Sequence, residues 1–96
     1  MLMYFRVTTY GFDESRLEEA LAKMDATIRD DLKAIVGLLS IHECRIGDGQ
    51  GMIISSWDSE ASVEAAQPKI QEIFGEMAEF MTSPPEAKGG NVIWTM

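Results

Sequence analysis

The stretch from Val36 to Ser59, VGLLSIHECRIGDGQGMIISSWDS, constrains the chain more than any other. Gly37 to Ile46 and Met52 to Trp57 both have strand length, and both are rich enough in β-branched or aromatic side chains to favour strand. Between them Gly47-Asp48-Gly49-Gln50-Gly51 supplies left-handed backbone at little steric cost, so the chain can reverse tightly. The same turn contains a GxGxG run. A phosphate-cradling loop of that kind must open a helix, whereas strand-like residues follow here. The pattern therefore predicts a structural β-hairpin. It holds the sole histidine, His42, the sole cysteine, Cys44, and one of the two tryptophans, Trp57.

The flanking segments alternate in period. Leu2 to Tyr10 reads as a strand with Met3, Phe5 and Val7 on one side and Tyr4, Arg6 and Thr8 on the other, ended by Gly11. Asp13 or Ser15 can cap the next helix, with Glu18 completing a capping box after Ser15. Leu17, Leu21, Met24, Ile28, Leu32 and Ile35 then form one apolar stripe at helical spacing, and Gly37 ends the helix. Between two strands, such a stripe packs on a sheet rather than forming a coiled coil.

After Trp57, Asp58 or Ser59 caps a second helix whose apolar face is Val63, Ala66, Ile70, Ile73, Phe74, Met77, Phe80 and Met81. Pro68 should kink or briefly break it near Gln67. Its second half is acidic outside, a solvated surface rather than a cation site. Pro84-Pro85 should end the helix, residues 84–90 form a loop, and Asn91 to Met96 the last strand.

The order is β-α-β-β-α-β, a ferredoxin-like α+β domain over residues 1–96: one antiparallel sheet with both helices on one face. A domain of this length buries only about 60–65% of its unfolded surface. The bare sheet face, expected to carry Tyr4, Ile53, Trp57 and Trp94, calls for a cover, and a second copy of the chain supplies it. A homodimer through the open sheet face is expected.

Sixteen acids against eight bases give a net charge of −8, which repels phosphate backbones and anionic lipid, so neither nucleic acid nor membrane is an expected partner. One cysteine cannot form an internal disulfide and fits a reducing compartment. The start, MLMYFRVTTY, has no basic leader, long apolar segment or cleavage site, and no apolar run approaches the ~20 residues that span a bilayer. A cytoplasmic protein is expected.

Parity nominates the chemistry. With Phe5, Val7 and Ile54 toward the helices, Tyr4, Arg6, Thr8, Ile53, Ser55 and Trp57 face away. Leu39 and Ile41 suit the helix side of the second strand, leaving Ser40, His42 and Cys44 opposite, although the alternative with Glu43 and Arg45 on that face stays open. With Trp94, the open face becomes a few polar groups among aromatic ones, the composition of a small-molecule pocket. Tyr4, Arg6, Ser55, Trp57 and Trp94 are the candidate substrate-binding residues. His42 is the candidate general base, against a structural reading as a hydrogen-bonded interface histidine. His42 and Cys44 are too few ligands for a closed metal site, so no metal is expected. Cys44 suits a small buried hydrophobe better than a nucleophile. Trp57 is a core plug or a pocket wall. Arg6 needs a partner, either a substrate anion or an acid from the other subunit.

The order of elements, Gly37 before the second strand and the run IISSWDSEASVEAA resemble the dimeric α+β barrel superfamily, in particular its antibiotic-biosynthesis-monooxygenase-like members, whose strand-end Trp matches Trp57. The resemblance implies two sheets packed into a barrel, and a pocket between sheet and helices in each subunit. It also implies, for some members, cofactor-free oxidation of phenolic or quinol-like compounds by O₂. Many members carry a histidine about two and a half helical turns after that Trp; Ala66, Gln67 and Pro68 stand there instead, which argues against haem degradation. Two functions are expected on these grounds: a cofactor-independent monooxygenase-like enzyme for an aromatic small molecule, or a non-catalytic ligand-binding or accessory dimer.

Overall fold

The computed structural model describes residues 3–96; the expected start of the first strand at Leu2 lies outside them. Four strands, β1 (Tyr4–Phe12), β2 (Leu38–Gly47), β3 (Gln50–Trp57) and β4 (Met81–Asn91), form one antiparallel sheet in the order β2-β3-β1-β4. This is the ferredoxin-like arrangement, with the hairpin β2-β3 joined at Asp48-Gly49. The first helical segment, residues 14–33, begins as a 3₁₀ turn (Glu14–Arg16) and continues through α1 (Leu17–Lys23), a π-helical turn (Met24–Ile28) and α2 (Arg29–Lys33). The second is α3 (Glu60–Met77), followed by a 3₁₀ turn, Ala78–Phe80.

The caps are local. Asp13 accepts from the Ser15 amide at 3.0 Å, and Ser59 accepts from the Ser62 amide at 3.2 Å. Gly37 has φ 89°, a left-handed value that lets the chain turn from helix into β2. A Cβ there would also lie 2.4 Å from the Ser62 hydroxyl, so the junction packs against the start of α3.

Three features differ from expectation. The helix α3 continues through Pro68, which lies on the exposed side with Glu64, the residue whose carbonyl the proline cannot bond. The last strand is Met81–Asn91 rather than 91–96, and it contains Pro84-Pro85. Proline is tolerated because β4 is an edge strand with a bulge at that point: Thr9 pairs Glu86 and Gly11 pairs Ser83, leaving both prolines in the irregularity. The same bulge carries β1 through Gly11, where a strand end was expected.

The core cluster is Tyr4, Trp57, Val63, Ala66 and Ile70, with Ile35, Leu38 and Phe74 packed against it. Ile28, from the π-helical turn, is fully buried. Among the described residues no helix is long and apolar enough to cross a membrane.

Candidate functional site

The facing of β1 and β3 is the reverse of what their apolar residues suggest. Tyr4 and Thr8 are buried on the helix side, while Phe5 and Val7 each remain 39% exposed on the outer face. The pairings Arg6↔Ser55, Thr8↔Ile53 and Tyr4↔Trp57 carry β3 with it, placing Ile53, Ser55 and Trp57 toward the helices and Ile54 outside. On β2 the expected parity holds for Ile41, which is helix-side, and for His42, which pairs with the outward Ile54, but Leu39, expected inside, falls at a bulge and is exposed while Leu38 lines the cavity. The expected single face of Tyr, Arg, Ser, His and Trp is therefore split in two. The physical reason is that the polar face of β1 borders a cavity, which removes the usual rule that the more apolar face meets the helices.

That cavity, about 120 Å³, lies between the sheet and both helical segments. Its sheet-side floor carries Arg6, Thr8, Tyr10, Glu43, Ser55 and Trp57. The whole stripe Leu17, Leu21, Met24, Ile28, Leu32 and Ile35 forms one wall, and Ile70, Ile73, Phe74 and Met77 of α3 form another. Within the first wall sits the π-helical turn Met24–Ile28, a local widening of the kind that recurs at functional sites. Leu21 and Glu43 line the cavity yet are exposed, which marks its open side.

Two hydrogen-bonded pairs organise the floor. The Trp57 indole Nε1–H donates to the Ser55 hydroxyl at 2.9 Å, and that hydroxyl donates weakly to the Arg6 carbonyl at 3.4 Å. Trp57 is thus both core plug and cavity wall. At the other end the Tyr10 hydroxyl donates to Glu43 Oε1 at 2.5 Å. Burial, and then the hydrogen bond to and negative charge of Glu43, push the Tyr10 phenol well above its ordinary value. Tyr10 reaches across β3 because residue 51 is glycine: a Cβ there would lie 2.5 Å from Tyr10 Cζ.

A charged clasp closes one end. Arg16 pairs with Glu79 at 3.2 Å and Lys23 pairs with it at 3.3 Å, while the Arg16 guanidinium lies 4.5 Å over the cavity-lining Phe80 ring. These contacts hold the Glu79 carboxyl below the usual range, Arg16 contributing most through its hydrogen bond.

Of the residues nominated from sequence, the structure brings together Arg6, Ser55 and Trp57. Tyr4 is helix-side but sits in the core, its ring over Gly89, and does not line the cavity. Trp94 follows β4 and is 78% exposed. His42 and Cys44 lie on the outer face, where Ser40 and Ser56 also meet at 2.5 Å. Among the described residues no group of three or more His, Cys, Asp and Glu side chains is gathered for a metal. Sequence reasoning missed Tyr10 and held Glu43 only as the open alternative on β2. The available signal was Gly51 opposite Tyr10, a gap that an aromatic ring fills.

Comparison with solved structures places this fold. A monooxygenase from the gene ActVA-Orf6 of Streptomyces coelicolor, in complex with nanaomycin D, superposes with a TM-score of 0.78 at 17% identity, over 99% of this chain and 91% of that one. A dimeric ferredoxin-like protein from an uncultured marine organism gives 0.76 at 18% identity, over the full length of both. The NE2512 protein of unknown function from Nitrosomonas europaea gives 0.74 at 16%, over 100% and 94%. No protein-family model matches the sequence, and no curated protein matches it. The chain thus has the ferredoxin-like fold of monooxygenase-like and dimeric proteins, as the resemblance of its sequence implied.

Proposed function

We propose that this chain is a monooxygenase-like enzyme that oxidises an aromatic or quinol-like small molecule in the cavity between sheet and helices, using O₂ and no resident cofactor. One observation carries the reading: a largely apolar cavity, open on one side, with its polar groups other than Asp13 on the sheet-side floor, the make-up of a ligand site. The nanaomycin D complex of a similarly folded monooxygenase is in keeping with it.

In this scheme the Glu43 carboxylate, whose Oε1 is held by Tyr10, takes the proton from an activated C–H of the substrate. The carbanion adds O₂ as a peroxide. Cleavage of the O–O bond leaves one oxygen on carbon as a carbonyl and releases the other as water, so a CH₂ plus O₂ becomes C=O plus H₂O. Trp57 and the helix side chains exclude water from the ring. A second copy covers the outer face, and His42 is then an interface residue. That position of the sole histidine, away from the cavity, favours the second reading, a ligand-binding dimer without catalysis.

O₂ uptake with a panel of quinols and anthrone-like phenols tests the proposal. Glu43→Gln should lower turnover about 10²-fold or more, and His42→Gln should leave it within about twofold. Uptake unchanged in the Glu43 variant removes the proposed base; no uptake with any of the panel favours the binding dimer.

A further inference from the structure

We infer that the ligand of this cavity is an aromatic anion, a carboxylate or phenolate whose charged oxygen pairs with Arg6. The inference rests on the cavity being the ligand site, as proposed above. Four arginines are present in the chain, and Arg16, Arg29 and Arg45 each pair with a carboxylate. Among the described residues Arg6 has no ion pair and its side chain makes no hydrogen bond. It is also the only cation lining the cavity.

A half-buried guanidinium beside apolar walls loses hydration, and an opposing charge restores that loss best. Arg6 faces the helices of its own chain, not the outer face where a second subunit was expected to pack. The two acids that line the cavity are engaged elsewhere: Asp13 caps the first helical segment and Glu43 accepts from Tyr10.

The cavity is therefore polarised along the sheet. Arg6 sits opposite Ser55, whereas Glu43 sits opposite Ile53, which in turn sits opposite Thr8. That offset, two strands across and two residues along, corresponds to ~12 Å between Cα atoms by standard strand geometry. An aromatic ring with an anionic oxygen at one end and a hydroxyl at the other spans the gap between the two side chains. The anion meets Arg6, and the hydrogen at the far end, of a hydroxyl in such a ligand or of the reacting C–H in a substrate, meets the Glu43 oxygen that Tyr10 leaves open.

Calorimetric titration of the full chain with 4-hydroxybenzoate and with its neutral near-isostere 4-hydroxybenzamide tests this. The acid should bind about tenfold tighter or more, as expected of a charge-assisted, partly desolvated pair. Arg6→Gln should bring the acid down to the affinity of the amide and leave the amide unchanged, and Arg6→Lys should keep part of the preference. Equal binding of acid and amide to the unaltered chain overturns the anion assignment and leaves the cavity as a ligand site. If neither probe nor phenol binds at millimolar concentration, the cavity reading itself falls. Should Arg6→Gln fail to fold, the acid-to-amide ratio of the unaltered chain decides alone.

Discussion

On the helix side of the sheet, the first three strands contribute Arg6, Thr8, Glu43 and Ser55 beside Tyr10, Ile41, Ile53 and Trp57; on the outer side they contribute Phe5, Val7, Cys44, Met52 and Ile54 beside Ser40, His42 and Ser56. Both faces mix polar with apolar groups, but the charged Arg6 and Glu43 lie under the helices, where an ordinary half-covered sheet is apolar. The difference teaches that the two apolar surfaces have separate tasks. Helix stripes supply the hydrophobic walls inside, so the sheet carries charged groups there, while the outer side keeps Phe5 and Val7 partly exposed.

The sharpest way to break this comparison uses neighbouring residues. Ile53→Glu places a carboxylate in the cavity, where burial without a partner costs several kcal/mol, and should unfold the chain or abolish ligand binding. Ile54→Glu puts the same charge on the outer face and should leave the fold intact while reducing the mass by light scattering to that of a 10.7 kDa monomer. A folded dimer from Ile53→Glu with ligand binding retained, or a dimer surviving Ile54→Glu, contradicts the assignment of faces. A smaller effect is expected from Gly51→Ala. The new Cβ would meet Tyr10 Cζ at 2.5 Å and Oη at 2.6 Å, so the ring must move away from Glu43. The loss in urea unfolding should be about 1–3 kcal/mol.

The smallest effect is on pH dependence. The Tyr10 phenol is raised in the folded chain from an ordinary value of 10.0. Above that pH the unfolded chain releases a proton that the folded chain retains, so stability is full below about pH 10 and declines as pH rises beyond it. Urea midpoints measured from pH 9 upward should show this decline in the parent chain and a shallower one in Gly51→Ala. Identical curves would mean that Tyr10 is not held by Glu43.

Much of the fold was legible because it is written in periodicity. The stripe from Leu17 to Ile35, the glycine at the Asp48-Gly49 turn and the Ser59 cap are local signals, and each forms as the spacing predicts. The last strand was obscured because Pro84-Pro85 argues against strand everywhere except at a bulged edge, and neither bulge nor edge is visible before the sheet is assembled. The site was half legible. Arg6, Ser55 and Trp57 share one face in the structure as they do in the sequence pattern, since pairing parity keeps them together whichever way the sheet faces. Their direction was not legible: Phe5 and Val7 are the more apolar set, and nothing local to β1 sends that set outward. Glu43 was held as an open alternative, and its tie to Tyr10 depends on β2 and β1 flanking β3, a long-range fact.

The central claim is that ligand enters on the helix side. Methyl and indole NMR spectra recorded during addition of 4-hydroxybenzoate test it most directly, because Ile53 and Ile54 are sequence neighbours on opposite faces. The account predicts saturable shifts at the methyls of Ile41 and Ile53 and at the Trp57 indole N–H, with Ile54 and the exposed Trp94 indole unmoved. Shifts concentrated at Ile54, His42 and Cys44, with Ile53 and Trp57 unchanged, would contradict it.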